Sequence, residues 1–460
     1  MYYFIYITLF FLTCTTCYAN NTITDNIVLQ NNSITYTIII IFIICYMLII
    51  FEEIMKIKKS TIVIISSSIM WILIFFYYNN EYQLNNYIKI FLLEYCELFL
   101  FLFVAMIYIN SIKYFGILNT LKNYIILKKL SYKKIFWLTG ILSFIISPIA
   151  DNLTTSLIMC SIILSIDKTN KHFINMCCIN IVIASNAGGA FSPFGDITTL
   201  MIWQNGILPF KSFFLIFIPS LITFLIPSII MTFYIPNTYL TKKHNDINTT
   251  SINFDSITLI ILFLITITIT ILSQIYFNIP SALSMMTGLG LLQLFEYFKT
   301  KQKDNTFNIT KQICNIEWET LLFFYGIMLC INALSAINVL DYISNILYNE
   351  LWQNHSHEYK HILANIIIGI MSAIIDNIPI TLAIIKMNPS MHDGNWLLIT
   401  LAIGTGGSLL SIGSASGIAL MGLSKNNYTF LSHLKWSFVI FIGYIFGIFS
   451  HIIINNNLFI

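Results

Sequence analysis

Charged residues are scarce in this 460-residue chain, and arginine is absent, so every basic residue is a lysine. Charged residues make up 9% of the chain and hydrophobic residues 57%, whereas a soluble domain carries about 25% charged residues. Such a chain cannot cover its surface with polar groups in water, which excludes a soluble protein. The lysines are spread over several segments and form no basic patch, so nucleic acid is not an expected partner.

Long apolar runs are abundant instead, and many approach or exceed the 18 residues that an α-helix needs to cross a lipid bilayer. The runs are roughly 34–51, 60–78, 88–110, 135–165, 173–208, 212–235, 256–278, 280–297, 318–338, 361–386, 396–423 and 433–454. They are continuous, whereas a membrane β-barrel has short alternating segments. We therefore predict an all-α polytopic membrane protein.

The two halves of the chain carry the same motif. Residues 147–152 (Ser-Pro-Ile-Ala-Asp-Asn) recur as residues 372–377 (Ser-Ala-Ile-Ile-Asp-Asn), and glycine-rich segments follow at 186–196 and 404–414. Glycine and proline free backbone groups from helical hydrogen bonds, which is tolerated at membrane depth only inside protein or beside a watery cavity. Such interruptions at matching points of two apolar halves are typical of transporters built from repeats.

Lysine-rich segments follow the first, third, sixth and eighth runs, and the positive-inside rule places them in the cytoplasm. The run at 135–165 then begins and ends on that side, and it is too long for one crossing. We predict a re-entrant hairpin that turns near Asp151 and Asn152, followed by a broken helix at 173–208. The second half mirrors the first, with a hairpin at 361–386 and a broken helix at 396–423.

The two halves should therefore have opposite orientations in the membrane. We predict inverted-topology repeats at 34–235 and 256–454, each with a re-entrant hairpin and a broken transmembrane helix. Residues 236–255 are predicted to be a cytoplasmic linker, and residues 1–33 a signal peptide with an external segment.

Four acidic residues lie in or beside the apolar runs: Glu97, Asp151, Asp196 and Asp376. An ionised carboxylate at the bilayer centre costs about 2.5–3.5 kcal/mol on insertion scales, so a cation or proton partner is expected. Oxygen ligands suit Na⁺ by analogy with other hard cations. The nearby side chains with such oxygens are Asn152, Thr154, Asn186, Thr198, Thr199, Asn377, Ser411 and Ser414. Competition of Na⁺ and H⁺ for one carboxylate would yield exchange, with no cofactor and no transition metal.

Several stretches resemble the NhaD-type sodium/proton antiporters of the ion-transporter superfamily. The resemblance rests on residues 97–106, 147–155, 178–199, 372–379, 406–415 and 433–436. It implies electrogenic exchange of Na⁺ or Li⁺ for H⁺ in a bacterial cytoplasmic membrane, by a homodimer whose hairpin-bearing domains move against a scaffold. The positions that it marks as functional are Asp151, Asn152, Asn186, Asp196, Thr198, Thr199, Asn377, Ser411, Ser414 and Glu97. Some members have an acidic residue where this chain has Ser147.

Three other functions are compatible with parts of the sequence. A Na⁺-coupled carboxylate symporter of the same superfamily would receive its substrate at the hairpin tips, but Asp151 and Asp376 would repel an anion there. An intramembrane aspartyl protease would need Gly-x-Gly-Asp, and Pro193 occupies the first glycine position before Asp196. A membrane sensor that has lost transport would not need the oxygen clusters. We therefore predict a transporter and not an enzyme.

Overall fold

The computed structural model describes residues 32–50, 55, 57–77, 81–116, 130–167, 170–236, 254–301, 307–352, 357–424 and 427–459. The predicted signal peptide and most of the predicted linker lie outside these residues.

The described residues form α-helices joined by short turns, and they contain no β-strand. In chain order the helices are α1 (Asn32–Ile50), α2 (Lys59–Tyr77), α3 (Glu81–Tyr114), α4 (Tyr132–Ala150), α5 (Asn152–Ile166), α6 (Lys171–Ala190), α7 (Ile197–Gln204), α8 (Phe217–Thr232), α9 (Phe254–Phe277), α10 (Ser281–Lys301), α11 (Ile309–Cys314), α12 (Trp318–Ala336), α13 (Val339–Asn345), α14 (His357–Met371), α15 (Asn377–Met387), α16 (Asp393–Gly406), α17 (Ala415–Ser424), α18 (Phe430–Leu434) and α19 (Ser437–Ile454). Within this part of the chain, 8 helical segments are long and apolar enough to cross a membrane. The predicted all-α polytopic membrane class is confirmed.

The helices pack in two groups. In the first group, α1 packs on α2, α2 on α12, α9 on α10, and α10 on α3. In the second group, α4 packs on α6, α14 on α16, and α8 on α19, while α6 contacts α16 at the centre. Helix α6 lies in the interior: 94% of its apolar segment is buried in the protein, whereas only 33% of that of α3 is buried. The groups meet where α15 of the second contacts α12 of the first.

The helical backbone is interrupted at four places in the second group. Asp151 alone separates α4 from α5, and its φ of 54° is incompatible with a continuous right-handed helix. Pro148, in the last turn of α4, cannot supply a backbone donor to the helix. The other interruptions are at 191–196 between α6 and α7, at 372–376 between α14 and α15, and at 407–414 between α16 and α17.

Two glycines allow helices of the second group to approach at backbone distance. A Cβ atom on Gly188 of α6 would overlap the carbonyl oxygen of Phe144 in α4. A Cβ atom on Gly406 of α16 would overlap the carbonyl oxygen of Gly369 in α14. Because backbone cannot move aside as a flexible side chain can, only glycine fits at either position. The glycines therefore set the spacing of α6 from α4 and of α16 from α14.

Some elements differ from the apolar runs. Helix α3 has 34 residues and extends beyond the predicted 88–110 at both ends. The run at 212–235 begins as a 3-10 segment, Phe210–Ile216, before α8. The short helices α11 and α13 were not predicted, because neither contains an apolar run long enough to be detected.

Candidate cation site

Three of the four predicted acidic residues precede the first residue of a helix. Asp151 lies at the N-cap of α5, Asp196 at the N-cap of α7, and Asp376 at the N-cap of α15. A helix N-terminus carries a partial positive charge, which stabilises an adjacent carboxylate. The interruptions thus explain how a mostly apolar protein holds three carboxylates in its interior.

The three aspartates use their carboxylates differently. One Asp151 oxygen accepts the backbone N–H of Thr154 at 2.7 Å, and the other accepts the Thr154 hydroxyl at 2.9 Å. Asp151 is therefore a helix cap as well as a candidate ligand. Asp376 makes no side-chain capping hydrogen bond to α15. Its carboxylate nevertheless interacts with the backbone N–H groups of Asn377 and Ile378 at the start of α15.

Asp196, at the interruption between α6 and α7, contacts the second half of the chain. The amide of Asn377 donates to Asp196 Oδ2 at 3.4 Å, and the Ser372 hydroxyl donates to Asn377 Oδ1 at 3.0 Å. Asp196 is 5% exposed. The neighbouring Thr198 hydroxyl is buried, and the backbone N–H of Thr198 donates to Asp196 Oδ1 at 3.4 Å. A buried carboxylate beside a buried hydroxyl supplies oxygen ligands for a cation.

A second polar cluster joins the start of α5 to the interruption between α16 and α17. Asn152 Nδ2 donates to Asn186 Oδ1 at 3.2 Å, and Asn186 Nδ2 donates to Ser414 Oγ at 3.0 Å. The Ser416 hydroxyl also donates to Asn186 Oδ1 at 3.1 Å. Asn186 is fully buried in α6, so it is the link between Asn152 and Ser414.

A cavity of about 290 Å³ lies between the two helix groups. The predicted site residues that line it are Asp151, Asn152, Thr154, Asp196, Asp376 and Asn377. Met106 and Asn110 of α3 line the opposite wall together with Phe323 and Phe324 of α12. Both helix groups thus contribute polar and apolar side chains to the cavity wall.

The remaining predicted residues lie elsewhere. Five do not line the cavity and are buried behind it: Asn186, Thr198, Thr199, Ser411 and Ser414. The Thr199 hydroxyl donates to the carbonyls of Ser192 and Asp196, both at 2.7 Å, so it holds the turn between α6 and α7. Glu97 is exposed on α3 and does not line the cavity. The structure therefore brings the aspartates and amides together, but it does not place Glu97 with them.

Five polar residues of the cavity wall were not predicted: Lys59, Asn110, Lys113, Glu317 and Thr320. They lie at helix ends, where charged residues are common, so their positions in the sequence carried no distinctive signal. Lys59 Nζ lies 4.6 Å from the centroid of the Phe323 ring. The ammonium of Lys59 acts electrostatically on Asp376, and Glu317 and Lys113 act on Asp151. Asp151 and Asp376 are therefore both influenced by charged residues that were not predicted to lie in the site.

The oxygen groups of the cavity are of the type that hard cations prefer. Among the described residues, no three His, Cys, Asp or Glu side chains converge as a metal-binding group. A cation beside Asp196 would instead have one carboxylate together with amide and hydroxyl oxygens, which are hard ligands.

Comparison with known proteins identifies the family. The family model described as "Citrate transporter" matches residues 38–404. The chain is 44% identical to the Na⁺/H⁺ antiporter NhaD of Alkalimonas amylolytica, over 80% of this chain and 79% of that protein. It is 43% identical to the Na⁺/H⁺ antiporter NhaD of Vibrio parahaemolyticus, over 77% of this chain and 89% of that protein. The chain belongs to the NhaD family of Na⁺/H⁺ antiporters.

More distant relatives of the chain include a plant protein. Sodium/proton antiporter 1 of Arabidopsis thaliana is 28% identical over 70% of this chain and 56% of that protein. The NhaD relatives are named as antiporters, that is, as transporters and not enzymes, in agreement with the prediction from the sequence.

Proposed function

We propose that this NhaD-family protein exchanges Na⁺ or Li⁺ for H⁺ across a membrane. The observation that carries the proposal is the acidic cavity, which four carboxylates and two ammonium groups line. The formal charge is negative when all of these groups are ionised. A negative cavity concentrates cations and repels anions. The names of the bacterial relatives agree with this activity.

Exchange follows if Na⁺ and H⁺ compete for one carboxylate. Asp196 is the best candidate, because it is buried, it contacts the amide of Asn377, and the buried Thr198 hydroxyl lies two residues away. A buried charge is unfavourable without a partner, so either a proton or a cation must neutralise the carboxylate. The site would therefore bind either Na⁺ or H⁺. If it carries Na⁺ across the membrane in one direction and H⁺ in the other, the result is antiport.

We also propose that the chain is built from two inverted repeats, 34–235 and 256–454. Matching contacts support this division. The Ser147 hydroxyl donates to the carbonyl of Ser185 at 2.6 Å, and the Ser372 hydroxyl donates to the carbonyl of Ile403 at 3.1 Å. Each serine thus ties the helix before the aspartate to the helix before the glycine-rich interruption. In this chain Ser147 therefore has a structural partner, where some family members have an acidic residue.

The contacts between helices support the same symmetry. Helix α5 packs on α17 of the other half, and α15 packs on α7. In the first group, α2 packs on α12 and α10 packs on α3, again across the halves. Contacts exchanged in this reciprocal way are expected from a pseudo-two-fold axis. Under this proposal, α4–α5 and α14–α15 are the re-entrant hairpins, and α6–α7 and α16–α17 are the broken helices.

The cavity extends from the aspartates towards Lys59 at the start of α2, Lys113 near the end of α3, and Glu317 just before α12. The positive-inside rule assigns these lysine-bearing ends to the cytoplasm. We infer that the cavity faces the cytoplasm in this conformation. The bacterial relatives favour the cytoplasmic membrane as the location, and resemblance to the superfamily favours a homodimer. Cross-linking of the protein in native membranes tests the dimer.

The test of the function is a Na⁺-induced change of ΔpH in everted vesicles from an antiporter-deficient bacterial host. We expect Na⁺ and Li⁺ to dissipate the gradient in vesicles with the wild-type protein. Asp196→Asn and Asp151→Asn should lose this response, because an amide can neither bind a proton reversibly nor neutralise a cation. Asp393→Asn is the matched control, since Asp393 is exposed in the first turn of α16 and does not line the cavity. Unchanged exchange in both cavity variants would refute the proposal.

Transport of a carboxylate is the second candidate, because the matching family model is described as a citrate transporter. Lys59 and Lys113 would attract an anion, but the four carboxylates of the cavity outnumber them. Labelled citrate offered to the same vesicles with and without Na⁺ separates the two functions. Na⁺-dependent uptake without any ΔpH response would favour the symporter.

A further inference from the structure

His433 and Tyr428 form a buried hydrogen-bonded pair that the proposed exchange does not yet use. Both side chains are almost wholly removed from solvent, at 0% and 1% exposed. His433 lies in the five-residue helix α18, which begins with a capping box between Thr429 and Ser432. His433 was part of the resemblance, in residues 433–436, without an assigned role.

The ring of His433 contacts one partner on each nitrogen. Nε2 lies 2.9 Å from the carbonyl oxygen of Ser408, and Nδ1 lies 2.7 Å from the hydroxyl of Tyr428. A carbonyl only accepts hydrogen bonds, so Nε2 must carry a proton. In a neutral ring Nδ1 then accepts the Tyr428 hydroxyl. The pair is thus satisfied without a net charge in the interior.

The carbonyl that His433 contacts belongs to the interruption between α16 and α17. The last carbonyls of a helix have no partner within the helix, and at membrane depth water is not there to replace one. The Ser437 hydroxyl donates to the next carbonyl, that of Leu409, at 2.6 Å. Side chains from α18 and α19 therefore satisfy two successive carbonyls that the interruption leaves free.

The same interruption carries two candidate site residues, Ser411 and Ser414. The Tyr428 hydroxyl lies beside the Ser411 side chain. Ser414 accepts a hydrogen bond from Asn186, which also contacts Asn152 at the cavity wall. His433 and Tyr428 thus hold one side of the segment 407–414, while the cavity cluster holds the other side.

The first interruption is also supported by a later helix, because the Ser220 hydroxyl of α8 donates to the carbonyl of Ala187 in the last turn of α6. There the Ser192 hydroxyl donates to the carbonyl of Pro148 at 2.9 Å, and the Thr199 hydroxyl donates to the carbonyl of Ser192 at 2.7 Å. These residues belong to the turn itself or to the adjacent α4 and α7. The described contacts of the first interruption include no histidine–tyrosine pair, so this pair is a feature of the second half, where the interruption is longer.

We propose that His433 and Tyr428 are positioning residues for the cation site, because they fix the segment 407–414 so that Ser414 stays in contact with Asn186. This inference rests on the proposed exchange of Na⁺ for H⁺. It concerns the geometry of the cluster at Asn186 and assigns no transported ion to the ring itself. Loss of the pair should weaken the apparent affinity for Na⁺ more than the maximal rate.

The test compares His433→Leu, His433→Gln and Tyr428→Phe in the full-length protein. We expect His433→Leu to raise the Na⁺ concentration for half-maximal exchange roughly tenfold, the size expected when a buried carbonyl loses its donor. The maximal rate per folded protein should change less than threefold, as a rough bound from the same energy scale. His433→Gln retains a donor for Ser408 and should recover most of the affinity, and Tyr428→Phe should have an intermediate effect.

His451→Leu is the matched control. His451 is also fully buried, and its Nε2 lies 3.0 Å from the carbonyl of Gly394, at the start of α16 and away from the interruption. We expect this variant to lower thermal stability without changing the half-maximal Na⁺ concentration. Equal shifts of half-maximal Na⁺ in His433→Leu and His451→Leu would overturn the inference, because the effect would then be a general consequence of a lost core histidine.

A second measurement covers variants that fold poorly. Na⁺-dependent thermal stabilisation of the detergent-purified protein reports cation binding without transport. If His433→Leu cannot be purified, a normal Na⁺ response of Tyr428→Phe would overturn the inference, and a weakened response would support it. If Na⁺ does not stabilise the wild-type protein, the proposed function itself is contradicted. If Na⁺ stabilises the wild type and the variants equally, only the role of the His433–Tyr428 pair is contradicted.

Discussion

At the scale of the residue, the cavity is defined by a few charges in an apolar wall. Asp151, Asp196 and Asp376 contribute carboxylates, while Lys59 and Lys113 contribute ammonium groups. In an interior of low dielectric constant, such charges act on one another over several ångströms. The ammonium groups of Lys59 and Lys113 therefore compete with a transported cation for the carboxylates of the cavity.

Replacement of Lys59 by Gln tests this competition. Lys59 lines the cavity and acts on Asp376, so loss of its charge should make the cavity more negative. We expect the half-maximal Na⁺ concentration to fall roughly fivefold, since one positive charge is removed at an intermediate effective dielectric constant. The measurement is the Na⁺ dependence of the ΔpH response at one fixed pH.

Lys58→Gln is the control for this prediction. Lys58 is the neighbouring residue, its side chain is 70% exposed, and it pairs with Glu319 at 3.3 Å. An exposed pair of this kind contributes little. If both lysine variants shift the Na⁺ dependence equally, the effect comes from general surface charge and not from the cavity.

At the scale of the element, interrupted helices and close helix contacts depend on each other. The interruptions supply free N-termini for the aspartates, and the glycines bring α6 to α4 and α16 to α14. Small residues are the usual means of close helix packing in membranes, where no hydrophobic effect drives helices together. These close contacts fix α4 against α6 and α14 against α16, and Asp151 follows directly on α4 and Asp376 on the turn after α14.

Gly188→Ala and Gly406→Ala should destabilise the protein. Each new Cβ atom would overlap a backbone carbonyl oxygen, of Phe144 or Gly369, and the helices would have to separate. We expect a loss of about 1–3 kcal/mol each, as for other overpacked sites. Thermal unfolding in detergent, with the yield of folded protein, measures this change.

Gly290→Ala provides the comparison, because a Cβ atom there would meet nothing within 4 Å. Gly290 lies inside α10, where alanine is the better helix former by up to about 1 kcal/mol. This variant should therefore be as stable as the wild type or more stable. Destabilisation of all three variants to the same extent would show that close contact is not the cause.

At the scale of the whole molecule, an ion pair links the two helix groups. Lys386 at the end of α15 lies 2.6 Å from Glu94 of α3, with the side chains 18% and 33% exposed. Helix α3 belongs to the first group and α15 to the second. If the second group moves against the first during transport, as the resemblance implies, this contact must break in each cycle.

A cross-link at this contact tests the motion. We expect Glu94→Cys with Lys386→Cys, joined by a short bifunctional thiol reagent, to lose exchange at least tenfold, an order-of-magnitude expectation for a gated step. The exposed Cys96 and Cys314 should first be replaced by Ser. The ΔpH response before and after the reagent, with the cross-linked fraction from a gel, measures the loss.

The pair formed by Asp255 of α9 and Lys299 of α10 is the control, because both helices lie in the first group. The same reagent on Asp255→Cys with Lys299→Cys should leave exchange intact. Full exchange in a cross-linked Glu94–Lys386 variant would contradict relative motion of the two groups at this contact.

The helical membrane class, the points of interruption and the aspartates beside them could be predicted from the sequence, because each depends on local properties. Hydropathy determines which segments can cross a bilayer, and Pro148, Gly188 and Gly406 act on the backbone of their own helices or of close neighbours. Asp151, Asp196 and Asp376 were identified as unusual because a charge within apolar sequence is unusual wherever the chain folds.

Only the tertiary structure decided which side of each helix faces the protein interior and which side faces lipid. In a membrane protein both the interior and the lipid-facing surface are apolar, so the pattern of apolar residues does not distinguish them. For this reason Glu97 was expected in the site but is exposed, and Lys59 was overlooked but lines the cavity. The contacts of Asp196 with Asn377 and of His433 with Ser408 likewise join segments that no local rule relates, and packing alone brings them together.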